Sequence, residues 1–202
     1  MVFSTASANL TLKETAILSG APEKTIRHEL ASRVARTSRS DRGRRRFDPN
    51  VVVYFFLLNE LPIRLDKKLR RELFELLAFR KERAGRWRRE AHQLVLEGDV
   101  PVVVATDDAM KRVEDRIGTF LRGRSRVVSR PEILGGEPVF EGTRISVRHV
   151  GERARKGESL AELLEDYAVL SAEDVEFARM FVALGPRPGR PRKKLRFVRG
   201  DG

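Results

Sequence analysis

Clear N-cap signals for several short helices are the strongest constraint that this sequence sets on its fold. Thr11, Asp48, Ser159 and Ser171 each precede an apolar-periodic segment and can accept a hydrogen bond from its first turn. Asp48 is followed by Pro49, whose ring suits the first helical position. The segments that follow are short. We therefore expect a mainly α chain with small β elements, of the α+β class.

Charge and composition limit the classes of function. The 202 residues carry 41 Lys and Arg against 29 Asp and Glu, a formal net charge of +12, which favours a polyanionic or strongly acidic partner over a merely soluble basic protein. Cysteine is absent, which excludes disulfides, a thiol nucleophile and thiolate zinc ligands. No signal-peptide pattern opens the sequence, and no apolar stretch reaches the roughly 18 residues of a membrane span. We expect a cytoplasmic protein with no membrane contact.

Residues 1–60 have the spacing of a helix-turn-helix unit. The first helix is predicted to start at Thr11, with Glu14 completing a capping box, and to end at Gly20. Pro22 suits the first turn of a second helix, whose inner side is predicted to hold Ile26, Leu30 and Val34. Its outer side would then present the candidate DNA-binding residues Lys24, Thr25, Arg27 and His28. Many helical hairpins share this spacing.

An arginine-rich strip, residues 36–47, follows and is predicted to form a β-turn wing against phosphates. Its candidate DNA-binding residues are Arg42, Arg44, Arg45 and Arg46. The order of helix, turn, helix, basic wing and helix, with Thr25 to His28 and Gly43 to Phe47, resembles the winged-helix head of MerR-type transcription regulators. Glu29 stands where that family more often has an aromatic residue. The resemblance implies DNA binding; the alternative is a solvated charged loop.

Residues 61–125 are predicted to connect the head to the rest of the chain. Leucines at helical spacing from Leu65 to Leu77 predict an amphipathic helix that packs on its own domain or on a second copy, so we expect a homodimer or a higher assembly. Residues 93–105 predict two strands around a Gly-Asp turn. A helix should then begin at Thr106 or Asp107 and stop at Gly123. Asp107 and Asp108 are interpreted as dipole-favoured first-turn residues and not as a metal pair.

Residues 126–184 carry the most distinctive pattern. Short strands are predicted at 126–128 and 133–134, then helices over 146–156, 160–167 and 172–183. Between them lies GGEPVFEGTRISV, residues 135–147, in which glycines and a proline set the backbone. Its marker residues are Gly135, Gly136, Pro138, Gly142, Thr143 and Arg144.

This run, followed by Gly157-Glu158-Ser159 and Asp166-Tyr167, closely resembles the bacterial family known as domain of unknown function 433. Tyr167 is followed by Ala168 where the family pattern has proline. Members are similar to VapB-type antitoxins, which are encoded beside ribonuclease toxins with PIN-like folds. The resemblance implies an antitoxin that represses its own operon and silences a toxin by contact. The marker residues themselves are interpreted as shaping the fold rather than performing chemistry.

Residues 185–202 form a basic tail that is too poor in apolar surface to fold alone. A PIN-type nuclease holds divalent metal with carboxylates, and a guanidinium could pair with such a carboxylate and displace the cation. The candidate toxin-binding residues are Arg187, Arg190, Arg192, Lys193, Lys194, Arg196 and Phe197. Two alternatives stay open: DNA contact, because residues 188–191 are similar to the core of an AT-hook, and a tail that only contacts solvent.

The sequence offers no sign of an enzyme. His28, His92 and His149 lie far apart, and no phosphate loop, nucleophile elbow or metal-spaced cluster is present. We therefore expect no catalytic residues, no metal and no cofactor. The predicted function is an antitoxin that binds a PIN-like ribonuclease toxin and operator DNA. The alternative is a stand-alone MerR-like DNA-binding regulator without a toxin.

Overall fold

A computed structural model describes residues 10–39, 43–61, 63–91 and 93–185. Within these ranges short helices and small antiparallel sheets alternate, which confirms the α+β class. The helices are α1 (Leu12–Ser19), α2 (Glu23–Ala31), α3 (Pro49–Glu60), α4 (Lys67–Ala78), α5 (Asp107–Ser125), α6 (Val147–Arg155), α7 (Leu160–Asp166) and α8 (Ala172–Ala183). The strands are β1 (Ser38–Arg39), β2 (Arg45–Arg46), β3 (Arg83–Ala84), β4 (Trp87–Glu90), β5 (Gln93–Leu96), β6 (Val102–Ala105), β7 (Val127–Val128) and β8 (Val139–Phe140).

The N-terminal head follows the predicted order of elements. Thr11 and Glu14 form the capping box of α1, and Gly20 ends the helix with a φ of 71°. Pro22 is the N-cap of α2 rather than a residue of its first turn. Val34 lies beyond the end of α2, although it is buried as expected.

The two short strands β1 and β2 form an antiparallel hairpin, in which Ser38 pairs with Arg46. An isolated bridge joins Leu10, before α1, to Phe47, after β2, through two backbone hydrogen bonds of 3.0 and 2.9 Å. Both side chains are fully buried. The hairpin is therefore fixed to the start of α1. Asp48 then caps α3 by accepting a hydrogen bond from the backbone N–H of Asn50, as predicted.

The middle region is a four-stranded antiparallel sheet in the order β3-β4-β5-β6, and α4 packs against it. Strands β5 and β6 confirm the predicted pair, whereas β3 and β4 were not predicted. Trp87 of β4 is fully buried, and its indole N–H donates to the backbone carbonyl of Leu69 at 3.1 Å. The leucines of α4 at positions 73, 76 and 77 are buried within the chain itself. Helix α4 was predicted to pack on its own domain or on a second copy of the chain. The structure shows it packed on its own domain.

The long helix α5 corrects one predicted boundary. Gly123 does not stop the helix, which continues to Ser125. A Cβ at Gly123 would lie 2.2 Å from Cγ of Phe177 in α8, so this glycine allows the two helices to approach closely. Arg126, just after α5, donates to both carboxylate oxygens of the buried Asp174 at 2.7 and 2.8 Å. Helix α5 thus joins the middle region to the C-terminal helices.

In the C-terminal region β7 pairs with β8, and three helices follow. The predicted strand at 133–134 is wrong: residues 134–136 form a tight turn, in which Leu134, Gly135 and Gly136 have φ values of 46°, 65° and 88° that a strand does not allow. Ser159 and Ser171 cap α7 and α8 as predicted, and Ser146, predicted as the first residue of α6, is its N-cap. Among the helices described, none is long and apolar enough to cross a membrane.

Candidate functional site

The exposed side of α2 carries the predicted DNA-contacting residues. Lys24, Arg27 and His28 are exposed and Thr25 is half-buried, while Ile26 points into the core and is fully buried. Arg27 forms an ion pair with Glu23, one turn earlier, at 2.7 Å. Both partners are largely solvated, with 64% and 36% of their side chains exposed, so this pair contributes little to stability.

The inner side of α2 holds a residue that sequence reasoning missed. Glu29 is only 3% exposed, and its carboxylate accepts a hydrogen bond of 2.9 Å from the phenol of Tyr54 in α3. Its other oxygen lies 3.1 Å from Nε of Arg70 in α4. Burial and the adjacent Glu29 carboxylate raise the pKa of Tyr54 well above its ordinary value. One buried carboxylate thus links α2 to both α3 and α4.

This cluster gives a physical reason for an acidic residue on the inner side of α2. Glu29 holds its place in the core through an ion pair and a hydrogen bond instead of apolar contact. The signal in the sequence was an acidic residue at an inward position of an amphipathic helix. Its partners lie 25 and 41 residues away, so spacing could not reveal them.

The hairpin presents the second set of candidate residues. Arg44 and Arg45 are exposed, and Arg46 is half-buried. The backbone carbonyl of Arg46 accepts a hydrogen bond of 3.3 Å from the hydroxyl of Ser38 across the hairpin. The predicted contact residue Arg42 lies outside the described residues. The candidate toxin-binding residues, which run from Arg187 to Phe197, also lie outside them.

The glycine-rich run of the C-terminal region owes its composition to backbone conformation. Gly135, Gly136 and Gly142 have φ values of 65°, 88° and 75°. A Cβ at any of the three would meet no atom within 4 Å, so the requirement is for the left-handed backbone and not for space. These residues shape an open turn at the protein surface.

Thr143 closes the same turn. Its hydroxyl donates to the backbone carbonyl of Phe140 at 2.8 Å and accepts from the backbone N–H of Ile145 at 3.0 Å. Pro138 is half-buried beside β8, and its carbonyl accepts a hydrogen bond from the N–H of Val147 at 3.0 Å. These contacts support the structural role predicted for the run. Arg144, in contrast, is exposed and forms no ion pair with any residue that the structure describes.

Arg153 of α6, which contacts three residues of the family pattern, was missed by sequence reasoning. Its guanidinium donates to Glu158 at 2.6 Å, to Asp166 at 2.6 Å and to the phenol of Tyr167 at 3.0 Å. The guanidinium also lies 5.3 Å from the centre of the Tyr167 ring. These contacts, first of all those with Glu158, raise the pKa of Arg153 above its already high ordinary value. Arg153 therefore ties the end of α6 to both ends of α7.

With this geometry in place, the C-terminal region can be compared with known proteins. Residues 127–182 match a family described as "Protein of unknown function (DUF433)". The match spans β7, the glycine-rich turn and the three last helices. It confirms the resemblance read from residues 135–147.

A curated relative adds a second comparison. The chain is 35% identical over 83 residues to "Uncharacterized protein y4eO" of Sinorhizobium fredii (strain NBRC 101917 / NGR234). The aligned part is 41% of this chain and 38% of the relative. The chain thus spans well under half the length of that relative. No solved structure matches the chain.

The acidic pair near the start of α5 does not form a metal centre in the part of the chain that is described. No group of three or more His, Asp or Glu side chains close enough to hold an ion occurs among those residues. Asp107 and Asp108 lie in the first turn of α5, where the helix dipole favours carboxylates.

Proposed function

We propose that the chain is an antitoxin of a type II toxin–antitoxin system that represses its own operon by binding DNA and neutralises a PIN-like ribonuclease by direct contact. The observation that carries the DNA-binding part is the arrangement of α2. Lys24, Arg27 and His28 face solvent, while Ile26 and Glu29 hold the opposite side of the same helix in the core. A rigid helix with one basic exposed side is the element that helix-turn-helix proteins insert in the major groove.

The charges of the head support contact with phosphates. Arg44 and Arg45 are exposed and form no ion pair with the residues described, so contact with a phosphate breaks no ion pair within that part of the chain. The pair formed by Arg27 and Glu23 is exposed, and exchanging it for a phosphate contact costs little. The hairpin is held to α1 through Leu10 and Phe47, which limits the ordering needed on binding.

The antitoxin part has a different support. Residues 127–182 match a family whose pattern the sequence also carries, and the resemblance implies a likeness to VapB-type antitoxins. The basic tail supplies guanidinium groups of the kind that pair with nuclease carboxylates. The alternative is a stand-alone MerR-like regulator, which has the same head and no toxin.

Binding to a labelled duplex from the region upstream of the chain's own gene tests the DNA-binding part. The affinity should fall with salt, with a slope of about −0.9 per phosphate contacted on a plot of log affinity against log salt. An unrelated duplex of the same length serves as the control for specificity. Equal affinity for the two duplexes would contradict operator recognition.

Co-expression with the product of the adjacent reading frame tests the antitoxin part. We expect the neighbour to arrest growth alone, and to be rescued by and to co-purify with the full chain. A chain stopped after Leu184 should bind the neighbour less tightly if the tail contributes to neutralisation. A harmless neighbour that does not co-purify would favour the stand-alone regulator.

A further inference from the structure

A cleft of about 320 Å³ lies beside the hairpin of β7 and β8, within the region that matches the family. Both apolar and charged side chains line the cleft. Its lining includes Val128, Arg130, Ile133, Glu141, Thr143 and Arg144.

The side chains of two arginines on this cleft have no partner among the residues described. Arg130 and Arg144 are exposed, and neither guanidinium forms a hydrogen bond or an ion pair with a residue in the described ranges. Other arginines of the same region are engaged: Arg126 pairs with Asp174, and Arg153 pairs with Glu158 and Asp166. Within the described part of the chain, no ion pair therefore competes with an external partner for these two guanidinium groups.

We propose that this cleft binds an acidic side chain on an extended, otherwise aliphatic segment of a partner protein. The two guanidinium groups receive the carboxylate, and Val128 and Ile133 contact the aliphatic part of the segment. The identity of the partner as the ribonuclease rests on the proposed function, whereas the chemistry of the cleft does not.

The lining favours a protein segment over a nucleic acid. Glu141 also lines the cleft, and its carboxylate repels a phosphate backbone that follows the arginines. No aromatic side chain is among the residues that line the cleft, so no surface for base stacking is present there. A peptide with a single carboxylate among neutral groups brings less negative charge near Glu141 than a run of phosphates does.

The size of the cleft indicates one or two side chains rather than a whole interface. A stable protein complex buries about 1,200–2,000 Å² in total, far more than such a cleft supplies. The cleft therefore provides one point of attachment within a larger contact, and its own affinity for a short peptide should be weak.

The test is an NMR titration of the isotope-labelled full chain with a short peptide. The probe is acetyl-Val-Leu-Glu-Leu-Val-amide at about 150 mM salt, and the neutral control is acetyl-Val-Leu-Gln-Leu-Val-amide. We expect the acidic peptide to shift the amide signals of Gly142 and Thr143 in a saturable manner. Arg130→Gln and Arg144→Gln should each weaken this binding about tenfold, because each removes a charge-assisted hydrogen bond. The matched control is Arg155→Gln, at an exposed arginine of α6 that forms no ion pair with a described residue, and it should leave binding unchanged.

The operator duplex, titrated separately, distinguishes this inference from the proposed function. If the duplex shifts only amide signals of α2 and of the hairpin of β1 and β2, the result would support DNA binding by the head. It would also agree with peptide binding in the cleft. Shifts of Gly142 and Thr143 on addition of the duplex would overturn the peptide assignment. The assignment is also overturned if the acidic and neutral peptides act alike, or if Arg155→Gln weakens binding as much as Arg144→Gln does.

Discussion

Glu29 and Arg70 form a buried ion pair with 3.1 Å between the carboxylate Oε1 and Nε of the guanidinium. Glu29 lies on the inner side of α2, and Arg70 lies on α4, which packs against the four-stranded sheet. Arg70 also donates to the backbone carbonyl of Leu65 at 2.6 Å. The pair therefore fixes the orientation of the proposed DNA-contacting helix relative to the middle region.

Removal of Arg70 should be strongly destabilising. Arg70→Met leaves the Glu29 carboxylate buried without its cation, which costs about 3–5 kcal/mol of unfolding free energy. The measurement is chemical denaturation monitored by circular dichroism. Arg71→Met, at the exposed neighbouring position, should change stability by less than about 0.5 kcal/mol.

A double variant tests whether the cost in Arg70→Met comes from the unpaired charge. Glu29→Gln combined with Arg70→Met removes that charge, so it should be more stable than Arg70→Met alone. A double variant no more stable than the single one would show that the packing of the Arg70 side chain, and not the unpaired carboxylate, dominates.

Tyr54 should give the chain a pH-dependent stability in alkali. Its pKa in the folded chain is raised above the ordinary value of 10.0, so the unfolded chain loses this proton first as the pH rises. The protonated Tyr54 therefore contributes its full share to the free energy of unfolding below about pH 10. This share is lost at higher pH, because Tyr54 then ionises readily only in the unfolded state. Between about pH 9 and pH 11 the midpoint of thermal unfolding should fall less steeply for Tyr54→Phe than for the wild type. Parallel curves would contradict this assignment.

At neutral pH the same variant should be less stable than the wild type. Tyr54→Phe removes the phenol that donates to the buried Glu29 carboxylate at 2.9 Å. Loss of one donor to a buried charged group costs about 1–3 kcal/mol. A neutral-pH stability equal to that of the wild type would mean that another donor replaces the phenol.

Two helical glycines should respond to alanine in opposite directions. A Cβ at Gly151 in α6 would lie 2.2 Å from the backbone carbonyl oxygen of Ala178 in α8, so Gly151→Ala should destabilise the chain by about 1–3 kcal/mol. At Gly118 in α5 the nearest atom, 2.9 Å away, is the flexible end of Arg122. Gly118→Ala should therefore stabilise the chain by up to about 1 kcal/mol, through helix propensity. Thermal unfolding of both variants checks the pair, and a Gly151→Ala variant as stable as the wild type or more stable would contradict the close packing of α6 on α8.

The starts of helices were predictable because their signals are local. Thr11 with Glu14, Asp48 with Pro49, and Ser171 with Asp174 each lie within four residues, and the structure places a cap at every one of them. The glycine-rich turn was predictable for the same reason.

Features that depend on distant partners were missed. Strands β3 and β4 lie in a charged segment, and Arg83 and Arg88 pair with Glu97, which follows β5. Gly123 resembled a helix stop, but its role is set by Phe177 in α8. The cleft beside β7 and β8 is likewise assembled from segments that spacing alone does not bring together.

The most direct test of the central claim is the affinity of a wing variant for the operator duplex. Arg44→Ala, Arg45→Ala and Arg46→Ala in one chain should weaken binding and reduce the steepness of the salt dependence by up to about 0.9 for each phosphate that the variant no longer neutralises. The matched control removes three exposed cations from α5, at Lys111, Arg112 and Arg116, and should change binding much less. A wing variant that binds the duplex as tightly as the wild type, or no more weakly than the α5 control does, would contradict the proposed interface.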